Sequence, residues 1–213
     1  QKIPDLCAVI YWEKITEKAK SAPKEILKIV KHNVSSAPLD LIGYKALAAV
    51  IKLIGRISDP VSHNWILECL FCAARASQRL QDEIIEQECE IGVAKCLEQN
   101  SRPDIQEQAV IAIDKFLEIN HSKFFPLFGR KRTIEILCQL LEVSDRNQTL
   151  LEIYTALTSL CAVKSKICDW VHSFEVCSTV QMHLETITDV VVLEAALKYV
   201  IKLMAVNPEQ LRK

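Results

Sequence analysis

An eight-residue pattern, A-L-x-x-V-I-K-L, occurs twice in this chain, at residues 46–53 and 196–203. Two looser copies lie between them. One is Gln106-Glu-Gln-Ala109-Val-Ile-Ala112-Ile-Asp-Lys-Phe116-Leu117, the other Ile153-Tyr-Thr-Ala156-Leu-Thr-Ser-Leu160. Anchored on Leu53, Phe116, Leu160 and Leu203, the copies are 63, 44 and 43 residues apart. The last two gaps match a helical repeat of about 40–47 residues, and the first marks an irregular or extended unit. Such a repeat restricts the fold severely. Ala at nearby positions lets a neighbouring helix approach closely, while Leu, Val or Phe fills the space beside it. One unit carries more apolar surface than it can bury alone, so units stack.

At these residues the sequence resembles the armadillo/HEAT superfamily of α-solenoids, most clearly over 101–118, 144–161 and 188–204. The resemblance implies an all-α fold of stacked helical hairpins, about five units over the whole chain, forming one domain over residues 1–213. The glycine turn of the armadillo pattern is largely missing, and no unit carries the asparagine ladder of the peptide-binding members.

The rest of the chain agrees with helices. Leu41, Ile42, Ala46, Ala49, Val50, Leu53 and Ile54 recur at the spacing of one broad helix face. Asp59-Pro60 reads as an N-cap followed by Pro in the first turn. Ser101-Arg102-Pro103-Asp104, Ser144-Asp145 and Thr188-Asp189 are further helix starts. The expected helices cover 4–20, 23–34, 39–57, 60–77, 80–99, 103–119, 130–143, 145–163, 164–173, 174–186 and 189–206. Residues 121–130, with Phe124, Phe125, Pro126, Phe128 and Gly129, read as a turn-like connector packed by its aromatics.

Composition excludes other classes. The 4 glycines are Gly43, Gly55, Gly92 and Gly129. They are too sparse for a phosphate cradle or for the turns of an all-β fold. Gly43 and Gly92 lie within helical patterns, where close helix packing accounts for a missing side chain. Half the chain is apolar and a quarter is charged, which excludes a disordered segment. The uncharged run 153–163 has 11 residues, short of the roughly 18 that a membrane span requires. The sequence contains 9 cysteines, an odd number, mostly set among Leu, Ile and Ala. They read as small buried hydrophobes in a reducing compartment, cytosol or nucleus. Asn33, Asn120 and Asn147 each begin a glycosylation tripeptide, which the cysteine count outweighs. The sequence begins Gln1-Lys2 without an initiator Met, as expected of a piece of a longer protein.

The net charge of −1 hides an uneven distribution. Residues 1–56 carry a net +5, residues 57–128 a net −6, and the remainder balances. Lys24, Lys28 and Lys31 form a stripe at i, i+4, i+7, and Lys14 and Lys18 form a second. Arg130-Lys131-Arg132 opens a helix, where the dipole disfavours cations, so an anion or acidic partner is expected nearby. Glu83 and Glu86, with Asp82, Glu88 and Glu90, form an acidic cluster. Trp65 is a candidate interface anchor.

Two constellations resemble metal or thiol chemistry. Cys69-Leu-Phe-Cys72 lies inside an apolar helical run and reads as core. Cys168, His172, Cys177 and His183 have the residue types of a zinc site. They lack a glycine knuckle to fold the second pair back, and a Cys168–His172 dyad on one helix lacks an oxyanion hole. The expectation is therefore a non-enzymatic interaction scaffold that uses no cofactor and no metal. Its repeat groove would meet a protein or peptide partner, an acidic or helical segment among them. Nucleic-acid association through the basic N-terminal helices is the alternative, and a zinc-binding or Cys/His enzyme the less favoured one.

Overall fold

A computed structural model of the chain describes residue 22 and residues 24–26, 28, 46–54, 56–57, 59–98, 102–162, 165–174 and 176–206. The expected helix over 4–20, most of 23–34 and the first part of 39–57 lie outside these residues. Among the described residues all regular structure is helical. The helices are α1 (Ala46–Ile54), α2 (Pro60–Ala76), α3 (Gln78–Glu86), α4 (Cys89–Leu97), α5 (Pro103–Phe128), α6 (Lys131–Val143), α7 (Asn147–Cys161), α8 (Ser165–Ser173), α9 (Val176–Thr186) and α10 (Val190–Val206). The chain divides into two compact units, residues 1–123 and 124–213.

In the first unit α1 packs against α2, α3 and α4. Eight of its nine residues are buried, Lys52 being the exception. The pattern A-L-x-x-V-I-K-L thus reads here as a helix enclosed on nearly all sides. Gly92 is what lets α4 come so close. A Cβ at that position would stand 3.0 Å from Ile54 Cβ and 3.2 Å from Ile54 Cγ2. Phe71 and Phe116 meet edge to face at 5.2 Å between ring centres. Full burial of side chains of this size contributes about 1.5–3 kcal/mol each.

Helix punctuation follows the sequence at several ends. Asp59 Oδ2 accepts from Ser62 N at 2.8 Å and caps α2, with Pro60 in the first turn. Asp189 Oδ1 accepts from Val191 N at 2.9 Å and caps α10. Ser77 extends the list, its Oγ accepting from Leu80 N at 3.3 Å to start α3. Two glutamines do the work that a glycine turn performs elsewhere. Gln81 Nε2 donates to Ala74 O, and Gln106 Nε2 donates to Leu97 O, each at 2.8 Å. Each side chain sits one turn into a helix and satisfies a free carbonyl at the end of the helix before it. A chain with this device needs few glycines at its corners.

Three expectations are corrected. The helix expected over 80–99 is two, α3 and α4, separated at Gln87 and Glu88. Glu88 adopts a left-handed conformation, φ 54° and ψ 44°, which ends one helix and starts the next. The turn-like connector over 121–130 is helical as far as Phe128. The break falls earlier, at Asn120, whose φ of −157° and ψ of 89° leave the helical region. Asn120 Oδ1 accepts from Lys123 N at 3.3 Å, as a cap would, and a short helical segment restarts there. That segment carries Pro126 and ends at Gly129, where a Cβ would lie 2.8 Å from Phe125 O. Finally, α7 begins after Arg146 with no side-chain cap, so Ser144-Asp145 does not supply one.

In the second unit α7 and α10 form the most extensive helix pair, and α8 packs on α6. Tyr154 and Tyr199, from these two long helices, are fully buried with ring centres 5.7 Å apart.

Candidate partner-binding surfaces

The basic stripe is described only in part. Lys14, Lys18 and Lys31 lie outside the described residues. Lys24 and Lys28 are exposed on a helical turn whose opposite side, Ala22 and Ile26, is fully buried. The spacing therefore does what amphipathic periodicity predicts. Lys24 Nζ stands 4.7 Å above the centre of the Trp65 ring. Lys28 Nζ pairs with Glu25 Oε1 at 2.9 Å. A cation over a half-buried Trp face is worth about 0.5–1 kcal/mol at an exposed site. The structure thus joins two candidates from different sequence arguments, the lysine stripe and Trp65.

Glu83 is half-buried on α3 and accepts from Gln87 Nε2 at 3.2 Å, while Glu86 is exposed. Asp82 takes an ion pair from Lys123. Part of the acidic cluster is therefore engaged within its own unit.

In the second unit the cations at the start of α6 find partners in the fold. Arg132 Nη1 lies 3.2 Å from Glu135 Oε2, and Lys131 Nζ lies 6.0 Å from the centre of the Phe174 ring. Arg130 is exposed at the N-cap. The glutamate one turn on offsets the dipole cost that the sequence raised, at an exposed site where such pairs are worth about 0–1 kcal/mol.

The four residues of zinc type do not meet at one point, although His172 and Cys177 are neighbours. His183 is buried on α9 and its Nδ1 meets Tyr154 Oη at 2.9 Å. Burial lowers its pKa, so the ring is neutral and pairs with the phenol. His172 and Cys177 are exposed, with Nδ1 and Sγ 4.0 Å apart, while Cys168 is buried. Cys161 and Cys168 share a hydrogen bond that lifts the Cys161 pKa and lowers that of Cys168. Among the described residues, no three His, Cys, Asp or Glu side chains are placed to share one metal ion. Cys69 is buried and Cys72 half-buried in α2, as core residues are.

A buried polar chain in the first unit escaped the sequence reading. His63 is fully buried on α2. Its Nδ1–H donates to Gln108 Oε1 at 2.8 Å, and Gln108 Nε2 donates to Pro60 O at 3.0 Å. His63 Nε2 lies 3.2 Å from Cys96 Sγ, and that thiol reaches Ile54 O at 3.4 Å. Burial lowers the His63 pKa, opposed by the Gln108 bond, and pushes the Cys96 thiol up to about 12. Both groups are therefore neutral at pH 7. The pair holds α1, α2, α4 and α5 together and offers no thiolate for nucleophilic chemistry. His63 and Cys96 are 33 residues apart, a spacing with no motif to flag it.

An apolar cavity of about 210 Å³ lies in the second unit among α8, α9 and α10. Val176, Val180, Leu184, Tyr199 and Leu203 line most of it. Among the described residues, no helix is long and apolar enough to cross a membrane.

No family model matches the sequence, and no curated protein matches it. Solved structures do resemble it. An engineered protein shares 16% identity over 95% of this chain with a TM-score of 0.74, and the chain spans 48% of its length. A computationally designed armadillo repeat protein for modular peptide recognition shares 15% identity over 97% of this chain and 84% of its own, with a TM-score of 0.72. A designed armadillo repeat protein in complex with the peptide (KR)4 shares 12% identity over 95% of this chain and all of its own length, with a TM-score of 0.50. The chain thus has an armadillo-like helical repeat fold.

Proposed function

We propose that this protein is a non-enzymatic scaffold that binds protein or peptide partners through its helical repeats. The observation that carries this reading is the likeness of nearly the whole chain to a repeat protein designed for peptide recognition. The contact surface centres on Lys24, Lys28 and Trp65, with Glu83 and Glu86 on α3 as the acidic counterpart. Arg130, Lys131 and Arg132 form a further basic surface on the second unit; by sequence spacing Lys31 belongs with Lys24 and Lys28, while Lys14 and Lys18 make a second pair. A Trp face with a cation above it is a rigid anchor, and charges of both signs on the same unit select partners by complementarity.

A displayed library of extended peptides, selected against the full chain and followed by calorimetry of the enriched sequences, tests the reading. Saturable 1:1 binding that Lys24→Glu with Lys28→Glu weakens at least about tenfold, a change of about 1.4 kcal/mol, supports it. Enriched peptides whose affinity ignores those substitutions and Trp65→Ala count against this surface.

A further inference from the structure

The two copies of A-L-x-x-V-I-K-L share six of their eight residues but have different surroundings. In α1, Leu47, Ile51 and Ile54 are 0%, 5% and 0% exposed. The matching residues of α10 are Leu197, Ile201 and Met204, which are 50%, 64% and 51% exposed. With Val190, 75% exposed, they follow the spacing 7, 4 and 3 along one stripe of the helix. The opposite stripe, Val192, Ala196 and Tyr199, is buried. Glu194 and Lys198, paired at 2.8 Å, flank the apolar stripe.

In the first unit the C-terminal end of this stripe, at Ile54, is covered by α4. The chain that follows α1 folds back as α2, α3 and α4, and α4 places Gly92 against Ile54. Cys96, one turn further along α4, reaches the carbonyl of Ile54. In stacked repeats a terminal unit has a polar outer face, whereas an internal unit keeps an apolar one for its neighbour. The outer face of α10 is of the internal kind.

We infer that the stripe Val190, Leu197, Ile201 and Met204 is the stacking face for a further helical repeat, docked on α10 as α4 docks on α1. The occupant is a helical hairpin whose near helix carries a small residue opposite Met204. This inference rests on the internal repeat and stands apart from the peptide-binding reading.

The test extends the chain. Residues 205–213 are replaced by a copy of residues 55–98, so that the hairpin follows Met204 as it follows Ile54. Amide hydrogen exchange over 197–204 is compared with that of the unextended chain. The expected result is slowing by at least about tenfold, lost when the extended chain also carries Leu197→Glu and Ile201→Glu. Because both side chains are exposed in the unextended chain, the double variant folds there, and its helical circular dichroism verifies this. Unchanged exchange in the extended chain overturns the inference. So does a dimer of the unextended chain in sedimentation that the same two substitutions dissociate, since the occupant is then a second copy.

Discussion

Replacing Gln108 by Leu isolates the buried polar chain that joins four helices of the first unit. The substitution keeps the side-chain volume and removes both ends of the amide. Two hydrogen bonds disappear, of 2.8 Å from His63 and 3.0 Å to Pro60 O. Each is worth about 1 kcal/mol net, and stranding the Nδ1–H of a fully buried His63 adds about 1–3 kcal/mol. The apolar Leu returns part of this, leaving a loss of about 2–3 kcal/mol. A switch of tautomer, with Nε2–H donating to Cys96 Sγ, brings the loss to the lower figure. At about 2–4 °C per kcal/mol for a chain of this size, Tm falls by about 4–12 °C. A second signature comes from charge. The bond to Gln108 raises the His63 pKa and burial lowers it, so the variant leaves burial unopposed. The folded state then resists protonation more strongly, and stability falls more steeply as pH drops below about 6.5. Thermal unfolding followed by circular dichroism at pH 7.5 and 5.5 reads both effects. A Tm within 1 °C of the parent at pH 7.5, or a shallower pH dependence, refutes the reasoning.

Three other outcomes follow from the same structure. The parent chain itself loses stability in acid. His63 and His183 both have pKa values lowered by burial, so the unfolded state takes up protons first as pH falls through about 6.5. Urea midpoints at pH 7.5, 6.5 and 5.5 should decline, His183→Gln should reduce the slope, and a midpoint rising toward pH 5.5 contradicts the assignment. Asp59→Ala removes the cap of α2 and costs about 1 kcal/mol; a urea midpoint that does not move shows that Asp59 contributes nothing there. Tyr199 Oη is buried without a hydrogen-bond partner, so Tyr199→Phe should leave stability unchanged or raise it by about 1 kcal/mol. A loss of that size would show that the hydroxyl has a role.

The parts of this fold that the sequence reveals are those set by local chemistry. Asp59-Pro60 and Asp189 cap helices because an Asx side chain ahead of an apolar run satisfies the first free amides. The spacing of Ala, Leu and Val in the repeated pattern predicts helices packed closely, and Gly92 against Ile54 is that packing. What the sequence conceals depends on distant partners or on backbone geometry without a marker residue. Gln87 and Glu88 are good helix formers, so nothing local announces the left-handed turn between α3 and α4. Residues 121–130 look like a connector because Pro126 and Gly129 stand close together, yet the cap at Asn120 restarts a helix ahead of them. His63, Cys96 and Gln108 come from three separate helices, and no spacing rule joins them. The candidate surface was legible in residue type alone. Lysines at helical spacing announced exposure, whereas the seat of Lys24 on Trp65 required the fold.

A scaffold of the proposed kind binds its partner and leaves it chemically unchanged. The most direct measurement incubates a selected, isotope-labelled peptide with saturating protein, then recovers it for intact mass while amide exchange is followed on the protein. The account predicts a 1:1 complex, slowed exchange on the helices bearing the candidate surface, and a peptide of unaltered mass. A peptide that is cleaved or modified, or an exchange pattern that binding leaves untouched, contradicts it.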